Sequence, residues 1–198
     1  MNITQLRGMR YPDEYLIRMF YKESMHQRTG HALELGSGTA NNLMHFAAYG
    51  WKVTGNQGEM LLHDRSQGLP KLQDTFDALL IPSTFYYITQ DAAWQCMRQA
   101  KKLLNLELCF ICVCDCRTII DMVVANCRRG GGWLLECEHT GENGVLNVFW
   151  HEYKLMDLVR ETLGMEPTKI TLLRVAYENV QNGLLVRNSD IVLWGRLP

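Results

Sequence analysis

The chain has 198 residues, of which 47% are hydrophobic and 21% are charged, and its net charge is −1 at pH 7. This length and apolar content predict one domain, residues 1–198, with a sizeable core. A nearly neutral chain lacks the positive charge that binds a phosphate backbone, so nucleic acid is not an expected partner. No stretch is apolar and long enough to predict a membrane span, and residues 1–15 contain no apolar signal region. We therefore expect a cytoplasmic protein.

The seven cysteines point to the same compartment, because an odd number inside apolar runs suits a reducing environment better than a disulfide framework. Four of them share one short apolar run: Cys109, Cys112, Cys114 and Cys116. Side chains along one strand form lines rather than a convergent tetrahedron. These cysteines are predicted to be small buried hydrophobes, and no metal site is expected.

The first part of the chain is predicted to form half of a nucleotide-binding α/β fold. Its elements are a helix at residues 11–27, a strand at 32–35, a glycine turn at 36–40, a helix beginning at Asn41 and a strand at 51–55. In the first helix, apolar residues recur at helical spacing and Asp13 lies near the start, where the helix dipole favours a negative charge. In the turn, glycines permit a tight bend and a close approach of the backbone to a ligand.

The remaining elements continue the α/β pattern. In chain order they are a strand at residues 75–80, a helix at 91–104, a strand at 108–116, a helix at 118–128, a strand at 133–139, a return strand at 145–150, a helix at 151–163, a strand at 168–178, a loop at 179–183 and a strand at 190–195. Gly164 is in the position of a helix C-terminal cap.

Four segments over residues 1–115 resemble the class I S-adenosylmethionine-dependent methyltransferases and occur in that family's order. They are the ELGSGT motif that begins at Glu34, the VTG strand that ends at Gly55, the LHDR and GLP segment at residues 62–70, and the strand at residues 75–80. The NSDIVLWG segment at residues 188–195 is similar to bacterial methyltransferases of the small-molecule or polysaccharide-associated type.

The resemblance implies a fold and a division of the domain. We expect a Rossmann-like sheet, mostly parallel with an antiparallel last strand, and helices on both faces. Residues 1–30 would form a helical cap, residues 31–116 the cofactor-binding half, and residues 117–198 the acceptor-side half with the final strand pair.

The resemblance also implies S-adenosylmethionine as cofactor and names the residues that would contact it. From the motifs these are Glu34, Gly36, Ser37, Gly38, Thr39, Asn41, Gln57, Asp64, Arg65 and Pro82. In related enzymes the first helix closes over the cofactor, which adds Tyr11 and Arg18. Arg18 would pair with the methionine carboxylate or, alternatively, with Glu14 in a surface salt bridge.

Two departures from the family pattern weaken the expectation of activity. Gln57 stands where the family has the acid that accepts hydrogen bonds from the ribose, and a neutral acceptor costs on the order of 1–2 kcal/mol in cofactor binding unless Glu59 compensates. Only residues 57–60 separate the second strand from the segment that resembles the third, whereas a parallel crossover needs at least ten to twelve residues. Either one crossover helix is lost, or this segment does not form a third parallel strand.

Candidate catalytic residues lie on the acceptor side. His139 and His151 are candidates for a general base because imidazole titrates near neutral pH, and the alternative for both is a solvated surface histidine. Tyr86 follows the strand at residues 75–80 and would flank the transferred methyl group, or else belong to the core.

The sequence thus predicts methyl transfer to a small metabolite or sugar-linked acceptor, with O-methylation preferred over N-methylation. The alternative is a non-catalytic scaffold or regulatory protein that binds the cofactor weakly or not at all. A dehydrogenase fits less well, because Ala40 replaces the third glycine of the dinucleotide fingerprint. The sequence does not indicate an oligomeric state.

Overall fold

The computed structural model describes residues 11–56, 72–115, 124–129, 132–135, 146–148, 150–166, 169–181 and 184–197. The helices in these ranges are α1 (Glu14–Lys22), α2 (Asn41–Ala48), α3 (Gln90–Lys101) and α4 (Glu152–Leu163). The strands are β1 (His31–Leu35), β2 (Lys52–Asn56), β3 (Phe76–Pro82), β4 (Leu104–Asp115), β5 (Val124–Arg129), β6 (Gly132–Leu135), β7 (Leu146–Asn147), β8 (Ile170–Gln181) and β9 (Leu184–Arg196).

Six of these strands form one sheet in the order β2-β1-β3-β4-β9-β8. Strands β1 to β4 are mutually parallel, and β9 runs antiparallel to both of its neighbours. The predicted α/β sheet with an antiparallel last strand is confirmed. Strand β1 has β2 on one side and β3 on the other. The chain passes from β1 to β2 in one direction across the sheet and then returns past β1 to β3, so the strand order reverses at β1.

Helices cover both faces of this sheet, as expected. Side chains of β1 alternate between the faces: Leu33 and Leu35 pack in a core with α3 and α4, whereas Ala32 packs in a second core with α1 and α2. Glu34 therefore points to the side of α1 and α2. The second core on this side of the sheet includes Leu16, Phe20 and Phe46.

The N-terminal helix is shorter than predicted. Asp13 caps it, since its carboxylate accepts hydrogen bonds from the main-chain N–H groups of Tyr15 (2.8 Å) and Leu16 (3.1 Å). The helix ends before residue 27, because Ser24 adopts a left-handed backbone with φ of 54°, and a separate 3₁₀ turn, Met25–Gln27, follows. The predicted cap Gly164 does end α4, with φ of +75°.

The predicted helix at residues 118–128 is wrong for residues 124–128, which belong to strand β5. This strand pairs antiparallel with β6, Val124 opposite Leu135 and Arg129 opposite Gly132, and β7 completes a second, three-stranded sheet. Pairing with β6 decides the outcome, since a short apolar run does not distinguish helix from strand. The predicted loop at residues 179–183 is also shorter, because β8 continues to Gln181 opposite Leu184.

At the amino edge of the main sheet, one carboxylate joins three strands. Asp77 accepts a hydrogen bond from the main-chain N–H of His31 (2.8 Å) and another from the side-chain amide of Asn105 (2.7 Å). These contacts bring together the beginnings of β1, β3 and β4. The opposite, carboxyl edge carries the glycine turn.

Candidate cofactor site

The turn after β1 is built on a left-handed backbone. Gly36 has φ of +75° and Gly38 has φ of +47°, values that side chains disfavour. The N–H of Ala40 donates to the carbonyl of Ser37 (2.6 Å), which closes the turn directly before α2 begins at Asn41. The turn and the amino end of α2 thus lie at the carboxyl edge, where open α/β sheets bind their ligands.

The loop after β3 is fastened to this turn by Thr84, which sequence analysis missed. Thr84 belongs to a 3₁₀ turn, Thr84–Tyr86, and its hydroxyl donates to the carbonyl of Leu35. A Cβ on Gly36 would lie 2.5 Å from Thr84 Oγ1, closer than atoms pack. Only glycine at position 36 therefore lets the two segments meet.

Strand β2 supports the turn from the other side. A Cβ on Gly55 would lie 2.6 Å from Ser37 Oγ and 2.7 Å from Leu43 Cδ1. Gly55 thus leaves room for the turn and for the first residues of α2. The turn is held between β2 and the loop after β3.

Glu34 lies immediately before the turn and is linked to both neighbouring helices. Its side chain is 1% exposed, and Oε1 accepts a hydrogen bond from the Asn42 amide (2.7 Å). The side-chain amide oxygen of Asn42, Oδ1, in turn accepts from the main-chain N–H of Asp13 (2.8 Å). The second carboxyl oxygen, Oε2, has no hydrogen-bond partner among the described residues.

This environment changes the acidity of Glu34. Burial raises its pKa to about 7, the hydrogen bond from Asn42 opposes the shift, and the nearby charge of Asp13 adds to it. Burial also raises the pKa of Asp13. Glu34 is thus a buried carboxyl with a raised pKa, and one of its oxygens has no partner among the described residues, so a cation placed beside that oxygen would favour its ionised form.

The segment after β7 is attached to the loop after β3. The N–H of Val148 donates to the carbonyl of Tyr86 (2.6 Å), and the indole N–H of Trp150 donates to the carbonyl of Phe85 (3.0 Å). Trp150 is fully buried in the core. The residues that follow β7 thus pack against the loop that carries Thr84.

No protein-family model matches the sequence, and no curated protein matches it either. Solved structures do resemble it. An S-adenosylmethionine-dependent methyltransferase from Methanosarcina mazei aligns over 90% of this chain and 98% of its own, with a TM-score of 0.58 and 13% sequence identity. The chain has the methyltransferase fold.

Two more proteins with the methyltransferase fold align over nearly their whole length. The 1,6-didemethyltoxoflavin-N1-methyltransferase of Burkholderia thailandensis, solved with 1,6-didemethyltoxoflavin and S-adenosylhomocysteine, covers 96% of this chain and 92% of its own (TM-score 0.53, 14% identity). The CcbJ methyltransferase of Streptomyces caelestis covers 99% and 95% (TM-score 0.56, 13% identity). At these identities the likeness is one of fold.

Within the methyltransferase fold, several predicted cofactor residues meet at the turn: Glu34, Gly36, Ser37, Gly38, Thr39 and Asn41. Thr39 Oγ1 accepts a hydrogen bond from the Asn41 amide (2.8 Å). Pro82 ends β3, directly before the loop that carries Thr84. Gln57, Asp64, Arg65 and His139 lie outside the described residues.

The structure also places four further predicted residues. Tyr11 is 67% exposed, and Arg18 lies on the exposed face of α1. His151 precedes α4, and its ring stacks on that of Tyr153 with centroids 5.3 Å apart. Tyr86 is 7% exposed, so its ring is largely part of the core beside Tyr87.

The described part of the methyltransferase fold contains no cluster of three or more His, Cys, Asp or Glu side chains that would hold a metal ion. No helix in that part has the length and hydropathy that crossing a bilayer needs. Cys96 is a free thiol buried in the core.

Proposed function

We propose that this protein is an S-adenosylmethionine-dependent methyltransferase that modifies a small metabolite or a sugar-linked precursor. The observation that carries the proposal is the glycine turn at residues 36–38 with the half-satisfied carboxyl of Glu34 beside it. Both lie at the carboxyl edge of a methyltransferase-type sheet, at the point where the strand order reverses.

The described residues fit the chemistry of this cofactor. Its methionine part carries an ammonium group, and Oε2 of Glu34 is a buried acceptor for which no described residue supplies a donor. Its carboxylate suits main-chain N–H groups at the beginning of α2. The left-handed glycine at position 38 lets a ligand approach the main chain of the turn without a Cβ in the way.

Bound S-adenosylmethionine would supply a methyl group already activated by its sulfonium. The protein then has to orient an acceptor and exclude water. Thr84 and Trp150 fix the loop after β3 in position for this. If the acceptor is a hydroxyl, His151 or His139 would take its proton, and Tyr86 would border the methyl group.

The small-molecule acceptor is supported by the neighbour in fold from Burkholderia thailandensis, which was solved with 1,6-didemethyltoxoflavin. O-methylation stays a prediction, and two of the neighbours in fold are named N-methyltransferases. We also propose that the protein acts in the cytoplasm, which the free thiol of Cys96 supports.

Calorimetric titration with S-adenosylmethionine and S-adenosylhomocysteine tests the proposal. We expect micromolar binding by the wild-type protein and none by Gly38→Val, because the added side chain would occupy the ligand side of the turn. Gly50→Val is the matched control: Gly50 also has a left-handed backbone (φ +82°), but it precedes β2 at the amino edge. This variant should bind normally if it remains folded by circular dichroism.

The opposite outcome favours the non-catalytic alternative. A folded wild-type protein that binds neither compound at millimolar concentration would overturn the enzyme assignment. Equal loss of binding in both valine variants would show that the loss comes from the fold rather than from the turn.

A further inference from the structure

Asn42 is the buried residue that joins two parts of the proposed site. It lies in the first turn of α2, and its side chain is 6% exposed. The amide N–H donates to Glu34 Oε1, and the amide oxygen accepts from the main-chain N–H of Asp13, the residue that caps α1. One planar amide therefore connects β1, α2 and α1.

The surroundings of Glu34 leave Asn42 as its principal polar neighbour. Across the sheet, Glu34 lies opposite Gly55 of β2 and Leu80 of β3, neither of which titrates. Among the described residues, Asp13, before α1, is the titratable group whose charge raises the pKa of Glu34. The negative charges of Asp190 in β9 and of Glu14 raise the pKa of Asp13 in turn.

We propose that Asn42 is a positioning residue, which holds the Glu34 carboxyl ready for the ammonium group of the cofactor and ties that carboxyl to the start of α1. The inference rests on the proposed function. An ammonium group beside Oε2 favours the ionised form of Glu34, which then releases its proton to solvent. Ionisation strengthens the Asn42 N–H donation, since hydrogen bonds to a charged acceptor are shorter and stronger. Polarisation of the amide strengthens its hold on Asp13.

Two substitutions at one position separate these two links. Asn42→Asp retains an oxygen for the Asp13 N–H but places a second carboxyl against Glu34 and removes the donor. Asn42→Ala removes both links. The matched control is Asn105→Asp: Asn105 also donates to a carboxylate at 2.7 Å, on Asp77, but at the amino edge of the sheet.

Proton release on ligand binding is the first readout. Titration with S-adenosylhomocysteine in phosphate and in imidazole at pH 6.5 gives the number of protons released from the difference in heat. We expect roughly 0.5–0.8 proton per ligand for wild type, and none for Glu34→Gln. In Asn42→Asp the pH midpoint of the Kd profile should rise by about one unit, with roughly tenfold weaker binding at pH 6.5. Asn105→Asp should match wild type in the number of protons released and in the pH midpoint of the Kd profile.

Hydrogen exchange of the ligand-free protein is the second readout and needs no activity. Peptides that cover α1 should exchange faster in Asn42→Ala, because the Asp13 link is lost, and at the wild-type rate in Asn42→Asp. Equal exchange in wild type and Asn42→Ala would overturn the tie to α1.

The outcomes distinguish this inference from the proposed function. Binding with the wild-type pH midpoint in Asn42→Asp, or a loss of affinity that is the same at every pH, would overturn the positioning role while the cofactor assignment stands. Failure of wild type to bind S-adenosylhomocysteine at all would overturn both.

Discussion

Glu34 is an ionisable side chain buried in an apolar interior. Its carboxyl is buried beneath α1 and α2, and only one of its oxygens has a hydrogen-bond partner among the described residues. A carboxyl in such a place costs stability when it ionises, and natural proteins accept that cost mainly where a ligand compensates. A buried, incompletely hydrogen-bonded carboxyl beside the glycine turn therefore indicates a ligand site more strongly than an acidic residue type alone does.

The pH dependence of stability should report the Glu34 carboxyl. Its pKa rises from 4.5 to about 7 on folding, so the folded state binds the proton more tightly than the unfolded state. Stability conferred by protonation is complete below pH 4.5 and is lost as the pH rises to 7. Relative to Glu34→Gln, wild type should lose about 3 kcal/mol of unfolding free energy between pH 4.5 and pH 8.

Urea unfolding of wild type and Glu34→Gln across this pH range measures the difference. Other groups, including Asp13, titrate in both proteins and largely cancel. A constant difference between the two proteins at every pH would mean that Glu34 has an ordinary pKa.

Gly36 supports a second prediction. Gly36→Ala introduces a Cβ on a left-handed backbone and against Thr84 Oγ1. Gly50→Ala is the comparison, because its backbone is similar (φ +82°) but its Cβ would lie at an acceptable 3.4 Å from Thr29 Cγ2. Backbone strain should cost roughly 1–2 kcal/mol in each. Gly36→Ala should lose about 1–3 kcal/mol more, because displacing Thr84 leaves the Leu35 carbonyl without its partner. Thermal unfolding compares them, and equal losses would contradict the contact with Thr84.

Among the elements, α1 depends on its cap. Asp13→Ala removes the side-chain acceptor for the N–H groups of Tyr15 and Leu16 and should cost about 1 kcal/mol of unfolding free energy. Asp13→Asn keeps an acceptor and should stay close to wild type. If Asn destabilises as much as Ala in chemical denaturation, the charge rather than the cap stabilises the helix.

Elements with a strong local signal were predicted correctly, and those that depend on partners were not. The strand before Gly36, the helix that begins at Asn41 and the end of α4 at Gly164 follow from apolar runs, turn glycines and caps nearby in sequence. Strand β5 forms because β6 pairs with it, and no window around residues 124–129 contains that information. The early end of α1 depends on the backbone of a single residue, Ser24.

The candidate site shows the same division. Its glycine turn and Glu34 were recognised from the ELGSGT motif. The hydrogen bond that holds the turn comes from Thr84, 49 positions after its partner Leu35, and the loop that carries Thr84 is held by Trp150, 65 positions after Phe85. Contacts this distant have no periodic signature, so sequence reasoning could not have found them.

For the molecule as a whole, we expect the amino edge of the sheet to contribute to stability alone and the carboxyl edge to contribute to both stability and ligand binding. Asp77→Ala would leave the His31 N–H and the Asn105 amide without their acceptor at the amino edge, which should cost about 1–3 kcal/mol of stability. Thr84→Ala should cost a similar amount at the carboxyl edge. We expect only Thr84→Ala to weaken S-adenosylhomocysteine binding in calorimetry. Weaker binding by Asp77→Ala at a temperature where it is folded would show that the edges are coupled.

Strand β9 has a consequence for how the protein is made. It is inserted between β4 and β8, and its residues Ile191, Val192, Leu193 and Trp194 contribute to both cores. The glycine turn is translated about 150 residues earlier, since it lies at residues 36–40 and β9 ends at Arg196. A ribosome-bound chain that has not yet exposed β9 therefore contains the glycine turn, but the hydrophobic core on each face of the sheet is still incomplete. We expect ligand binding during synthesis to begin only after β9 leaves the exit tunnel.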